Sequence, residues 1–183
     1  MNPIKTADIN NLEAIPSPSL LVFPERVEAN VDRMLDMVGG DVLRLRPHVK
    51  THKMAEVVRL QVAKGITRFK CATIAEAEMT AISGGRDVLL AHQPVGPNLS
   101  RFLQLQDRFS EVSFSATVDS EEVVEAFERT GRSASLFVDV DCGMHRTGIE
   151  PGEGALALCR QIAFSDNLDF AGLHAYDGHL HQP

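Results

Sequence analysis

The sequence predicts an α/β fold, a parallel (β/α) barrel of the TIM type that is incomplete at its C-terminal end. Three observations predict it. Short β-rich apolar runs alternate with helical patterns along the 183 residues. Successive strands mostly begin roughly 20 to 25 residues apart, the spacing of strand–helix–strand units joined by right-handed crossovers. An eight-unit barrel takes roughly 250 residues, whereas this sequence stops directly after a strand, at Gly178-His179-Leu180-His181-Gln182-Pro183, with no closing helix. A doubly wound open sheet also fits the alternation, but no GxGxxG turn follows the first strand.

Ser19-Leu20-Leu21-Val22-Phe23 reads as a leading strand, and residues 1–23 as an N-terminal arm ending in it. Residues 24–183 read as one partial barrel without an internal linker. Pro24 stops the leading strand and suits the first turn of a helix. That helix carries Val27, Val31, Met34, Leu35 and Val38 at helical spacing and ends at Gly39-Gly40. A strand is predicted over 42–49 and a helix over 54–63, closed by Gly65. A strand over 68–72 precedes a helix over 74–83, stopped by Gly84-Gly85. A strand over 87–91 precedes a helix over 97–109 with Leu99, Phe102, Leu103 and Leu105 on one side. After a strand over 112–118, Asp119 or Ser120 caps a helix reaching about Arg129, with Glu121 and Glu122 favourable in its first turn. A strand over 134–140, a helix over 151–164 and a strand over 170–175 complete the pattern.

Bulk properties narrow the function. Hydrophobic content of 44% supports a sizeable core. A net charge of −7 argues against a nucleic-acid surface and against an anionic membrane. No run has the length of a transmembrane helix, and the first residues lack the apolar core of a signal peptide. Cys71, Cys142 and Cys159 have no CxxC spacing and read as reduced thiols, which predicts a cytoplasmic protein.

Chemistry-bearing residues gather at the C-terminal ends of the predicted strands, where barrels place their active sites. The first cluster is His48, Lys50 and His52, within Arg46-Pro47-His48-Val49-Lys50-Thr51-His52-Lys53. A lysine at such a strand end is open to desolvation, which disfavours its ammonium form and exposes a nucleophilic amine. The second cluster is His92 with Gln93. The third is Asp139, Asp141, His145 and Arg146, and the fourth His174, Tyr176, Asp177, His179 and His181. All seven histidines fall within these clusters. Plainer roles compete at each: solvated loop lysines, a loop histidine before Pro94, and aspartates that cap turns. The spacing of His174, His179 and His181 matches no specific metal motif, although imidazoles beside carboxylates suit zinc or manganese. A metal-dependent barrel hydrolase is therefore a second possibility at this level.

Three motifs bring in a known family. They are Arg46-Pro47-His48-Val49-Lys50-Thr51-His52-Lys53, Cys71-Ala72-Thr73-Ile74-Ala75-Glu76-Ala77-Glu78, and Asp141-Cys142-Gly143-Met144-His145-Arg146-Thr147-Gly148. Gly172-Leu173-His174-Ala175-Tyr176-Asp177-Gly178-His179 adds a less specific fourth. The sequence resembles the fold-type III pyridoxal-phosphate enzymes with an alanine-racemase-like N-terminal barrel, and within them the D-threonine aldolase and D-serine dehydratase branch. The resemblance implies that Lys50 forms the Schiff base with the cofactor aldehyde and that His48 lies beside it. It implies that Arg146 hydrogen-bonds near the cofactor's 3-hydroxyl oxygen, and that His174 or Tyr176 lies at the mouth near the pyridine ring or the substrate. The barrel would begin at the lysine strand, with about six of its eight strands present, and the first strand would pack with a C-terminal β-domain absent from this sequence.

The function so implied is that of a pyridoxal 5'-phosphate-dependent lyase, cleaving D-configured β-hydroxy amino acids in the manner of D-threonine. A D-serine-type dehydratase and an amino-acid racemase are the alternatives. The activity is expected of a longer parent, a homodimer with a small amino-acid substrate. A divalent metal (Mn, Mg or Zn) is expected only in that parent, with its ligands outside this chain. An inactive barrel fragment and a non-catalytic cofactor-binding protein are readings of another class.

Overall fold

The structure, a computed structural model, describes residues 9–181. Five parallel strands form one sheet: β1 Arg68–Cys71, β2 Asp87–Leu90, β3 Ser113–Val118, β4 Ala134–Val140 and β5 Leu168–Ala175. Their order is β1-β2-β3-β4-β5, and every neighbouring pair is parallel. A doubly wound sheet reverses its strand order at a switch point. This one never reverses, as a barrel wall requires. The sheet is not closed on itself among the described residues.

Among the described residues six α-helices accompany it: α1 Pro24–Met37, α2 Ala55–Ala63, α3 Ile74–Ile82, α4 Pro97–Arg108, α5 Glu121–Arg129 and α6 Glu153–Phe164. Pro24 and Pro97 occupy the first turns of α1 and α4. Thr73 caps α3, its Oγ1 accepting from the Glu76 N–H at 3.1 Å. The cap expected for α5 does not form: Ser120 precedes it without a side-chain bond to the helix, and Asp119 is used elsewhere, its Oδ2 accepting from the Gly148 N–H at 2.9 Å.

The two faces of the sheet differ in chemistry. On β1, Phe69 and Cys71 are fully buried within the core shared with Val58, Ala77 and Ala81, while Lys70 between them lines an open cleft. Along β3 and β4, Phe114, Ala116, Leu136 and Val138 join that same core, whereas Thr117 and Asp139 line the cleft. Strict alternation along a strand forces this division. Burial pushes the Cys71 thiol up to about 12, so it stays protonated.

Two expected strands are absent. Ser19 to Phe23 makes no ladder; an apolar segment forms a strand only where another edge accepts its backbone groups, and it pairs with none among the described residues. The segment 42–49 is not a continuous strand either. Val42–Arg44 and Val49–Thr51 are 3-10 turns, and a single bridge, His48 to Lys70, connects the segment to β1. Asp41 accepts from the Leu43 N–H at 3.1 Å and starts the first turn. Pro47 lacks a backbone donor and so contributes only its carbonyl, which accepts from the Lys70 N–H at 2.9 Å. A side-chain anchor replaces the missing ladder: Arg46 grips both carboxylate oxygens of Asp87, at 2.6 and 2.7 Å.

Gly148 is fixed by backbone crowding. It has φ +98°, and a Cβ there would lie 2.6 Å from the Asp141 nitrogen and 2.8 Å from the Val140 carbonyl carbon. The close approach comes from the loop after β4 folding back, with Ile149 bridged to Val140. Gly39, at φ +66°, faces open space. Gly148→Ala should therefore destabilise the protein by about 3 kcal/mol, and Gly39→Ala by only about 1 kcal/mol, measured as shifts in denaturant midpoint at unchanged slope. Equal losses would contradict the crowding seen at Gly148.

Candidate active site

A cleft of about 230 Å³ opens at the C-terminal edge of the sheet. Every strand contributes: Lys70 from β1, Ala91 just past β2, Thr117 and Val118 from β3, Asp139 from β4 and His174 from β5. His48, Lys50, Arg146 and Tyr176 complete its rim.

Lys50 sits in the tight turn Val49–Thr51. Val49 is fully buried, and its carbonyl accepts from the N–H groups of His52 and Lys53 at 3.2 and 2.8 Å. The His48 ring closes the turn from the other side, its Nδ1 accepting from the Lys50 N–H at 3.2 Å. Burial, followed by the Lys50 and Lys70 charges, lowers the His48 pKa to about 4. His48 is thus neutral at physiological pH, and its free Nδ1 lone pair serves as the acceptor.

A second clamp holds the same turn. Lys53, at φ +51°, reaches Glu76 Oε1 at 2.9 Å, while Glu76 Oε2 accepts from the Ala72 N–H at 2.8 Å. Burial alone would push the Glu76 carboxyl up, but the Ala72 donor and the Lys53 ammonium together hold it below its ordinary value. This carboxylate ties the lysine turn to the start of α3.

Arg146 arrives on the loop between β4 and α6. Asp141 shapes that loop, accepting from the Gly143 N–H at 2.9 Å, the His145 N–H at 3.0 Å and His145 Nδ1 at 2.9 Å. The His145 and Gly143 backbone donors hold the Asp141 carboxyl below its usual range. Arg146 and Lys50 both stand over the Tyr176 ring, with Arg146 Cζ at 4.6 Å and Lys50 Nζ at 5.7 Å from its centroid. The aromatic ring brings the two cations into one site.

The structure thus assembles His48, Lys50, His92, Gln93, Asp139, Arg146, His174 and Tyr176, as the sequence suggests, and adds Asp119. It separates the other histidines. His52 turns away to accept from the Met54 N–H at 3.1 Å ahead of α2. His145 is exposed against Asp141, and neither His179 nor His181 lines the cleft. Among the described residues no group of three or more His, Cys, Asp or Glu side chains is placed to hold a metal ion. No helix among them is long and apolar enough to cross a membrane.

Sequence reasoning missed Lys70. It lies inside β1, half-buried, with Nζ 3.2 Å from His174 Nε2, and His174 Nδ1 lies 2.5 Å from Asp139 Oδ1. The available signal was its place between Phe69 and Cys71, which puts a cation on the face opposite the core.

A parallel sheet in sequential order, carrying a lysine-bearing cleft at its C-terminal edge, defines a barrel-type domain. The chain belongs to the family described as alanine racemase, N-terminal domain, which it matches over residues 23–183. It is 30% identical over 171 residues to the D-threonine aldolase of Arthrobacter sp, a match covering 91% of this chain and 45% of that protein. The crystal structure of D-threonine aldolase from Filomicrobium marinum superposes with a TM-score of 0.80 at 31% identity, over 92% of this chain and 46% of that one. D-threo-3-hydroxyaspartate dehydratase from Delftia sp. HT23 superposes with a TM-score of 0.79 at 26% identity, over 90% of this chain and 44% of that one. The chain spans less than half the length of each of these relatives.

The Glu76 clamp has a pH signature. A carboxyl whose folded pKa lies below its unfolded value stabilises the fold above the unfolded value, and the gain disappears as pH falls through the folded one. Glu76→Gln should destabilise the protein by about 1–3 kcal/mol at neutral pH. The gap between variant and parent should close below the ordinary carboxyl value near 4.5. Denaturant titrations across that range check it, and a gap that persists undiminished in acid would rule out the charge as its source.

Proposed function

We propose that the protein containing this domain is a pyridoxal 5'-phosphate-dependent lyase acting on D-configured β-hydroxy amino acids, with aldol cleavage of the D-threonine type. The observation that carries the reading is Lys50 on a clamped turn, sharing the Tyr176 ring with Arg146 in a cleft walled by all five strands. These residues fit the cofactor's chemistry. Lys50 offers the primary amine that takes an aldehyde carbon. Arg146 offers hydrogen-bond donors to a ring oxygen, Tyr176 offers a flat face, and the surrounding cations suit an anionic ligand. When bound, the cofactor supplies an electron sink that lets a bond at the substrate Cα break.

The chain's own residues have distinct parts. His48, kept neutral, holds the Lys50 backbone and adds no charge beside the amine. Arg146 would fix ring orientation through its planar donor fork. His174, held by Asp139, is placed to handle a proton at the base of the cleft. The similarity to a dehydratase at nearly the same TM-score supports a second reading, loss of the β-hydroxyl from D-serine-type substrates, on the same residues. The proposal extends to a homodimer in the cytoplasm. It also includes a divalent metal that acts on the substrate hydroxyl as a Lewis acid, held by residues beyond this chain.

Borohydride reduction of the cofactor-loaded protein, followed by peptide mapping, should leave the pyridoxyl label on Lys50. A label on Lys53 or Lys70 alone would refute the assignment. Incubation with D-threonine should give glycine and acetaldehyde, and a chelator should suppress the reaction. Racemisation of alanine at full rate in chelator would overturn the lyase reading.

A further inference from the structure

We propose that Asp139, His174 and Lys70 form a proton relay that opens on the cleft at the Lys70 amine, making Lys70 a second acid–base lysine beside Lys50. The inference rests on the function proposed above and names the proton carrier within it.

Hydrogen-bond inventory fixes the direction of the relay. A carboxylate only accepts, so the 2.5 Å contact between Asp139 Oδ1 and His174 Nδ1 places the imidazole hydrogen on Nδ1. His174 Nε2 then carries a lone pair, and it faces Lys70 Nζ at 3.2 Å. An ammonium only donates, so one proton lies between two bases. If it moves to Nε2, the Asp139 carboxylate stabilises the resulting imidazolium, and Lys70 is left as a neutral amine facing the cleft. This is the logic of a nucleophile activated by an oriented base, with an amine as the outer member.

The surroundings favour that transfer. Lys70 faces the cations Lys50, Arg46 and Arg146, and His48 lies across the bridge from it, while the carboxylate of Asp139 opposes them. Burial first, then Lys50, lowers its affinity for a proton. No carboxylate pairs with Lys70 directly within ion-pair distance among the described residues, unlike Lys53 and Lys64.

The sheet register is arranged to make the contact. From Ala134 to Leu136, β4 pairs with β5 at a constant offset, but a bulge then intervenes, and Phe137 pairs with Gly172. With the original offset Asp139 would face Leu173, and His174 would point to the opposite side. The extra residue brings His174 into register with Asp139. Gly172, at φ +132°, supplies the backbone freedom at this step, and Leu173 is 61% exposed on the other face.

In aldol cleavage the relay has a balanced task. One proton leaves the substrate's β-hydroxyl for Lys70 Nζ, the O–H electron pair stays on oxygen to become the second C–O bond as Cα–Cβ breaks, and the Cα–Cβ pair stays on the Cα side, where the bound cofactor would supply the electron sink. One proton is then delivered to the former Cα, so the relay ends the turnover in its starting state.

The test is carried out on the full, cofactor-loaded protein. Lys70→Arg keeps the positive charge and a donor toward His174 but does not release its proton. It should lower kcat on D-threonine by about 100-fold with KM changed by no more than about threefold. Borohydride should still label Lys50 in it. His174→Gln, which accepts a hydrogen bond but takes no proton, should show the same loss. Trace labelling with acetic anhydride across alkaline pH gives a readout independent of turnover, because accessibility sets the rate but not the midpoint. The Lys70 midpoint should fall below that of Lys64, whose pKa is raised by its bond to Asp32. Native turnover by Lys70→Arg would show that Lys70 is only a fixed cation. A Lys70 midpoint at or above that of Lys64 would remove the neutral amine and overturn the relay. If Lys50 takes no label in the unsubstituted protein, the proposed function fails, and the Lys70 midpoint alone then decides the relay.

Discussion

Parallel pairing in sequential order is the constraint on which the site depends. Each strand ends at the same edge of the sheet, and each alternates residues between two faces. One face is apolar and packs under α2 to α6. The other collects Lys70, Thr117, Asp139 and His174, residues distant in sequence, into one cleft. The helices secure the sheet from behind, so the polar face needs no core of its own. The bulge between β4 and β5 shows how tightly function is tied to register: one inserted residue decides whether a histidine meets a carboxylate or solvent.

The lysine-bearing segment is held differently. It has one bridge to β1, and its position is set by charged side chains at its two ends. Arg46 binds Asp87 at the far end of β2, and Lys53 binds Glu76 at the head of α3. Two anchors from separate elements fix a short turn without a ladder, and Val49, fully buried, fills the space beneath it. A turn held only at its ends can present the Lys50 amine at the rim of the cleft, where an incoming ligand reaches it. A strand residue such as Lys70 stays deeper, and the two amines therefore differ in environment although they line the same cleft.

Much of this was legible in the sequence because it rests on local rules. Apolar periodicity located the six helices and the five paired strands of the described residues, and Pro24 marked a helix start that the structure retains. The residues Lys50, Arg146, His174 and Tyr176 were legible as a site because chemistry-bearing residues gathered where strands end. What was not legible depends on partners distant in sequence. The segment 42–49 has the composition of a strand, yet Pro47 and the reach of Arg46 to Asp87 decide otherwise. His52 resembles His48 by spacing but turns away to the Met54 N–H ahead of α2. Lys70 looked like an ordinary strand residue because only the register of β4 on β5 brings His174 and Asp139 to it.

The most direct measurement is visible absorption during titration with pyridoxal phosphate, comparing the unsubstituted protein with Lys50→Ala while Lys70 and Lys53 remain in place. If the clamped turn exists to present Lys50, the absorption band of the lysine-linked cofactor forms in the unsubstituted protein and is lost in the variant. An unchanged band and midpoint in Lys50→Ala would show that another amine holds the cofactor and would contradict the assignment of Lys50.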